Sequence, residues 1–185
     1  MLPAPLPPAR QPPQVAKASS KRVTYQIKPA AVTWTGYAEV GSYAPSGTVQ
    51  LRQGHFAYDG RNPRAGRFEF DMRTLTQEQP QLAEHLRGED FFDVAKYPTA
   101  VFVLQQVRAG QARGLLTLHG VTRPIRFPLT LEPDAQGQVH ATGTATIDRT
   151  QFGINFNSSS FFQNLGSYAI RNEFRLAFDL VAVSK

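Results

Sequence analysis

The sequence predicts an all-β fold, an eight-stranded antiparallel β-barrel with one short helix and a Pro-rich N-terminal tail. From Val23 onward, apolar and polar residues alternate with a period of two, which is typical of strands with one buried face. The 14 glycines and 14 prolines of the 185-residue chain indicate many turns. Long one-sided strands in this number either pack as two sheets or close into a barrel, and we expect a barrel because closure leaves no unpaired edge.

The first 22 residues are predicted to form a Pro-rich, basic, disordered tail or linker, and residues 23–185 a single domain. This tail holds six prolines, four Lys or Arg residues and no acidic residue. Without those four bases the domain has 16 basic and 14 acidic residues, so most of the net charge of +6 belongs to the tail. Four scattered bases without aromatic residues are more typical of a solvated spacer than of a nucleic-acid site, and no nucleic-acid partner is expected.

Segments 25–28, 32–40, 48–58, 114–118 and 139–147 are predicted strands. The segment from Ile170 to Leu180 shows the alternation most clearly, with Arg171, Glu173, Arg175 and Asp179 on its polar face. Three more segments place the following residues on a buried face: Phe68, Phe70 and Met72; Ala100, Phe102 and Leu104; Ile125, Phe127, Leu129 and Leu131.

One helix is predicted at residues 80–87. Pro80 suits a first helical position, and Gly88 lies where a C-terminal cap is expected. Between them, a short apolar stripe is formed by Leu82, Ala83 and Leu86.

The predicted strand at 139–147 has small side chains on its apolar face. Those residues are Val139, Ala141, Gly143, Ala145 and Ile147. Their size leaves volume beside the aromatic residues, which is either an internal pocket or space filled by phenylalanine rings. A pocket of this kind favours a long apolar chain, because about 15 buried carbons at ~0.8 kcal/mol each contribute on the order of 12 kcal/mol before ordering costs.

The sequence contains no local catalytic, metal or cofactor motif. It has no cysteine, which excludes disulfides, thiolate metal sites and cysteine nucleophiles. Its four histidines are isolated, and it lacks HExxH, G-x-S-x-G and phosphate-binding loop patterns. The acidic cluster Glu89, Asp90 and Asp93 is read as a turn rather than a carboxylate pair, and Asp148 with Arg149 as a salt-bridged turn. No catalytic residue, metal ligand or cofactor is therefore predicted.

Three segments resemble the signature of the bacterial YceI-like proteins. In chain order they are LRGEDFFDVAKYPTA at 86–100, LTLHGVTRP at 116–124 and ATIDRTQFGI at 145–154. The resemblance covers roughly residues 23–183. It implies a lipocalin-like barrel that binds a polyisoprenoid or similar long-chain amphiphile, without established catalytic activity and commonly in the periplasm.

Two segments depart from the family pattern. Residues 28–34 lack the Asp-x-x-His-Ser motif that the family often shows, and Trp34 stands at its aromatic position. Residues 155–167 are longer than the usual connection, and we expect them to form either a lid or an interface.

The predicted function is non-catalytic binding, carriage or sequestration of a polyisoprenoid, an isoprenoid quinone or a fatty-acid derivative. The alternatives are an enzyme acting on a hydrophobic substrate through His119 or Asp90, and a stress-related interaction module whose basic tail binds an anionic surface. We expect no membrane-spanning segment, and a homodimer is possible. The expected location is the periplasm or cell envelope, with the cytoplasm left open because the chain shows no export signal. The predicted ligand-binding residues are Trp34, Phe68, Phe70, Phe91, Phe92, Phe102, Leu116, Phe127, Phe152, Phe162, Phe174, Leu176 and Phe178.

Overall fold

A computed structural model describes residues 23–60 and 62–185, and the predicted tail at 1–22 lies outside the described residues. The described chain contains nine strands and one α-helix, with short 3₁₀ turns between some of them. The elements are β1 (Val23–Ile27), β2 (Ala30–Thr35), β3 (Ser46–Tyr58), β4 (Pro63–Asp71), α1 (Pro80–Arg87), β5 (Thr99–Arg108), β6 (Gln111–Leu118), β7 (Val121–Pro133), β8 (Val139–Asp148) and β9 (Glu173–Ser184).

The strands form one closed antiparallel barrel, which confirms the predicted fold class. Their order around the barrel is β3, β2, β9, β8, β7, β6, β5 and β4, and β4 pairs with β3 to close it. β1 and β2 occupy one position, because each pairs with β3 on one side and with β9 on the other. Nine strands therefore make a barrel of eight positions, the size that leaves an interior just wide enough for side chains or one slender ligand.

The two ends of the barrel differ because three of the four connections at one end are much longer than those at the other. At the first end lie the β2–β3, β4–β5, β6–β7 and β8–β9 connections, including α1 and the long segment 149–172. At the other end, β3–β4, β5–β6 and β7–β8 are joined by short turns. We call the first the covered end and the second the turn end.

The helix α1 forms as the sequence predicts. Pro80 begins it, and the buried side chains of Ala83 and Leu86 face the barrel. Gly88 ends it with its backbone N–H donating to the His85 carbonyl, in an extended rather than left-handed conformation. This helix covers part of the barrel end.

The predicted strand at 32–40 is too long. Regular pairing ends at Thr35, and the next residues fold back toward β3, with Gly36 N–H donating to Pro45 O and Ala38 N–H to Tyr43 O, each at 2.9 Å. A single bridge between Ala38 and Ile170 then joins this connection to the segment before β9. The chain leaves the barrel wall here and builds its rim.

Candidate functional site

The barrel interior is built by the alternating apolar residues that the sequence singles out. On β9, Phe174, Leu176 and Phe178 point inward and lie opposite Ile147, Ala145 and Gly143 of β8. Residues between them on β9 are exposed. Every second residue of these strands therefore contributes to one apolar inner surface.

Glycines on the inner surface make room for phenylalanine rings toward the turn end. A Cβ atom at Gly143 would lie 2.5 Å from Cζ of Phe178, and one at Gly114 would lie 2.6 Å from the Phe102 ring. The rings of Phe102 and Phe178 each contact Phe127, with centroids 5.3 and 5.7 Å apart. Phenylalanine rings therefore fill part of the interior beside the small residues, which is one of the two arrangements that the sequence left open.

The rings nevertheless leave two apolar cavities inside the barrel. One of about 180 Å³ lies at the covered end, and one of about 100 Å³ lies toward the turn end. Both are lined almost wholly by apolar atoms. Four residues border both cavities, which places the cavities end to end: Phe70, Leu116, Ile147 and Leu176.

The larger cavity, which we call the upper cavity, is roofed by aromatic residues and α1. The indole of Trp34 borders it and donates a 3.1 Å hydrogen bond from Nε1 to the Thr76 carbonyl, so the ring is fixed in place. Phe91 and Phe92 follow α1 and also border this cavity, and the His85 imidazole packs edge-on against Phe91. The turn after α1 thus delivers its aromatic rings into the barrel end.

Arg149 holds the long β8–β9 connection onto the barrel. Its side chain is 3% exposed and donates to the carbonyls of Ile154, Ile170 and Arg171 at 2.8, 3.1 and 3.1 Å. The predicted salt bridge with Asp148 is wrong, because the Asp148 carboxylate accepts hydrogen bonds from the backbone and hydroxyl of Thr150. Burial lowers the pKa of Arg149, and the negative charge of Asp148 opposes that shift.

The structure brings together most of the predicted ligand-binding residues but not all. Phe152 is 1% exposed and Phe162 is half exposed, and neither borders a cavity. Phe152 is packed in the hydrophobic core, whereas Phe162 lies on the β8–β9 connection. The cavity-bordering residues are Trp34, Phe68, Phe70, Phe91, Phe92, Phe102, Leu116, Phe127, Phe174, Leu176 and Phe178.

Sequence reasoning did not include several residues that border the upper cavity. Met72 and Leu82 had a signal, since each belonged to a predicted apolar face. Tyr43 and Leu75 had none, because they lie in irregular connections where no periodicity operates. Tyr37 was assigned to the predicted strand at 32–40, whereas regular pairing ends at Thr35.

The two residues of the enzyme alternative lie outside both cavities. His119 donates from Nδ1 to the Phe152 carbonyl at 3.1 Å and packs against Tyr97, while Asp90 lies in the turn after α1. Within residues 23–60 and 62–185, no three His, Asp or Glu side chains form a group able to hold a metal ion. In the same part of the chain, no helix has the length and apolar character needed to cross a membrane.

A closed antiparallel barrel of eight positions around an apolar interior defines a lipocalin-like barrel protein. The profile of the YceI-like domain matches residues 21–182, and the chain belongs to the YceI-like family. The resemblance noted in the sequence is thereby confirmed.

The chain is also similar to a curated relative in sequence and to two solved structures in fold. A UPF0312 protein of Pseudomonas putida F1 is 29% identical over 151 residues, covering 75% of this chain and 78% of the relative. The structure of Burkholderia cenocepacia BcnA matches with a TM-score of 0.64 at 19% identity, over 83% of this chain and 96% of that one. A polyisoprenoid binding domain from Saccharophagus degradans matches with a TM-score of 0.64 at 11% identity, over 88% and 99% of the two chains.

Proposed function

We propose that this protein binds a long-chain apolar lipid inside its barrel and carries or sequesters it without converting it chemically. The observation that carries the proposal is the pair of apolar cavities that meet at Phe70, Leu116, Ile147 and Leu176. Their end-to-end arrangement suits an extended chain rather than a compact ligand. The polyisoprenoid binding domain of Saccharophagus degradans, which shares the fold, supports a ligand of this class.

The chemistry of the lining favours a hydrocarbon. Because both cavities are bordered almost wholly by apolar atoms, a polar group placed there would lose its hydrogen bonds to water without replacement. A hydrocarbon instead gains ~0.8 kcal/mol for each buried CH₂. We infer that the polar end of the lipid stays at the covered end while the chain occupies the barrel.

A long ligand requires movement of the interior rings. Each cavity, at about 180 and 100 Å³, is smaller than an ordinary small-molecule pocket of ~300–1,000 Å³. The rings of Phe102, Phe127 and Phe178 border the smaller cavity, toward the turn end, and can change side-chain rotamer. A polyisoprenoid, an isoprenoid quinone and a fatty-acid derivative all fit this requirement, with chain length setting how far the rings move.

Native mass spectrometry with a matched pair of variants tests the proposal. Leu116 faces the point where the cavities meet, whereas Leu115 lies on the outer face of the same strand. We expect the wild type and Leu115→Trp to bind a polyprenol equally well, with the adduct showing the mass of the intact lipid. Leu116→Trp should bind the polyprenol at least tenfold more weakly but still bind a short alkanol. Absence of uptake by the wild type, or equal uptake by both variants, contradicts the proposal.

Three points stay predictions. They are the periplasmic or envelope location, the possible homodimer, and the division of the chain into a tail and one domain. Fractionation of the native host, light scattering of the full chain and limited proteolysis check them in turn.

A further inference from the structure

The large hydrophobic side chains that are exposed in the described part of the chain all lie on two connections at the covered end. We call these connections, residues 36–45 and 155–172, the rim loops. Their exposed hydrophobic residues have 50% to 77% of their surface accessible: Val40, Tyr43, Phe161, Phe162 and Tyr168. Single exposed apolar residues are ordinary, whereas a group confined to one end of a molecule indicates a contact surface.

The rim loops are held together as one structure. Glu39 N–H donates to the Ala169 carbonyl and Arg171 N–H to the Tyr37 carbonyl, each at 2.9 Å. The hydroxyl of Ser159 also donates to the Glu39 carboxylate at 2.7 Å. These contacts, with Arg149 below them, present the hydrophobic residues on a fixed surface.

The rim loops carry almost no charge that is free to meet a partner. Their sequences contain one acidic residue, Glu39, and one basic residue, Arg171. The Glu39 carboxylate is engaged by Ser159, and the Arg171 guanidinium lies over the Tyr37 ring at 5.6 Å. By contrast, the outer face of β9 alone exposes Glu173, Arg175 and Asp179. The rim loops therefore complement an electrically neutral surface.

The same surface is continuous with the upper cavity. Tyr43 is 56% exposed and also borders that cavity, as do Tyr37 and Ile170 of the rim loops. A chain entering or leaving the upper cavity at this end passes the exposed aromatic residues. Aromatic side chains with a polar tip, such as Tyr43 and Tyr168, are suited to the boundary between lipid headgroups and hydrocarbon.

We propose that the rim loops dock onto the neutral, zwitterionic surface of a lipid bilayer and that lipid passes there between bilayer and barrel. This inference rests on the proposed function, because docking serves a protein that exchanges lipid. It assigns the 155–167 segment to an interface rather than a lid.

Sedimentation with phosphatidylcholine vesicles tests docking on the full chain. We compare the wild type with the double variant F161S/Y168S, whose positions border neither cavity, and with the control Leu115→Ser on the barrel wall. Neutral vesicles keep the basic tail from dominating the result. We expect the double variant to bind at least tenfold more weakly, the control to bind as the wild type does, and salt between 50 and 500 mM to change little.

A second measurement separates docking from lipid binding. Polyprenol added from ethanol solution should load the wild type and F161S/Y168S equally, whereas transfer from donor vesicles should be at least tenfold slower in the double variant. Failure of the wild type to load from solution contradicts the proposed function. Loading from solution without vesicle binding, or vesicle binding that the double variant retains, overturns the docking proposal alone. A wild-type dimer that F161S/Y168S converts to monomer assigns the surface to a second copy and also overturns it.

Discussion

The ring of Phe178 on β9 lies over Gly143, its directly paired partner on β8. A Cβ atom at Gly143 would come within 2.5 Å of the ring and 2.6 Å of the Pro128 carbonyl oxygen. The ring can turn away, but the carbonyl belongs to the backbone and cannot. The lack of a side chain at Gly143 therefore allows the close approach of both the Phe178 ring and the Pro128 carbonyl of β7.

Gly143→Ala is expected to destabilise the barrel by about 1–3 kcal/mol, because it overpacks a site with a fixed backbone atom. Urea unfolding followed by circular dichroism measures the change. Gly36→Ala is the control, since its new methyl group would lie 3.9 Å from Trp34 in ordinary contact. Equal stability of the two variants would show that the Phe178 and Pro128 contacts are not tight.

Trp34 is expected to report lipid entry. It is the only tryptophan of the chain, it borders the upper cavity, and its indole is fixed by the Thr76 carbonyl. A bound fatty acid brominated along its chain should quench the tryptophan fluorescence in proportion to loading. Trp34→Phe removes the signal and serves as the blank. Unquenched fluorescence in protein that carries the brominated lipid would place the chain elsewhere.

Arg149→Met is expected to lower stability by about 2–5 kcal/mol, because it leaves the carbonyls of Ile154, Ile170 and Arg171 without their donor. Arg149→Lys should lose nearly as much, since one ammonium group cannot reproduce the planar fork of the guanidinium. Limited proteolysis should then cut both variants first between residues 155 and 170. Resistance of that segment in Arg149→Lys would mean that charge alone anchors it.

Stability is expected to fall in acid partly through Glu69. Hydrogen bonds from Gln53 and then Arg67 hold the pKa of Glu69 below its ordinary value of 4.5. The resulting stabilisation is complete above that value and is lost as the pH falls through the lowered pKa. The group is partly exposed, so the loss is below ~1 kcal/mol.

Glu69→Gln should therefore be less stable than the wild type at pH 7 and closer to it at pH 3. Thermal unfolding at both pH values measures this difference. Glu78→Gln, at an exposed position before α1, is the matched control. A constant difference between Glu69→Gln and the wild type across the pH range would assign the effect to packing rather than to ionisation.

The alternation of apolar and polar residues predicted which face of each strand is buried, because successive side chains of a strand point to opposite faces whatever their type. It therefore placed Phe178 and Gly143 on the same inner surface. Alternation carries no information on how far a ring extends, so it left the choice between a filled interior and a pocket undecided. The structure contains both, with rings toward the turn end and a larger cavity under Trp34.

The irregular connections were predicted less well. Asp148 and Arg149 were predicted to form a salt-bridged turn. The burial of Arg149 depends on carbonyls about five and twenty residues further along the chain, which no local pattern reveals. Phe162 was predicted to bind ligand, and the structure shows it half exposed on the rim, bordering neither cavity.

The last strand, β9, hydrogen-bonds with β1, β2 and β8. The wall thus cannot close during synthesis until residues 173–184 have emerged from the ribosome. A shorter nascent chain lacks the strand that joins β8 to β1 and β2, so we expect its aromatic inner surface to stay exposed to water. Pairing partners so distant in sequence also make folding slow. A polypeptide that stops before Glu173 is therefore expected to aggregate rather than to settle into a narrower barrel.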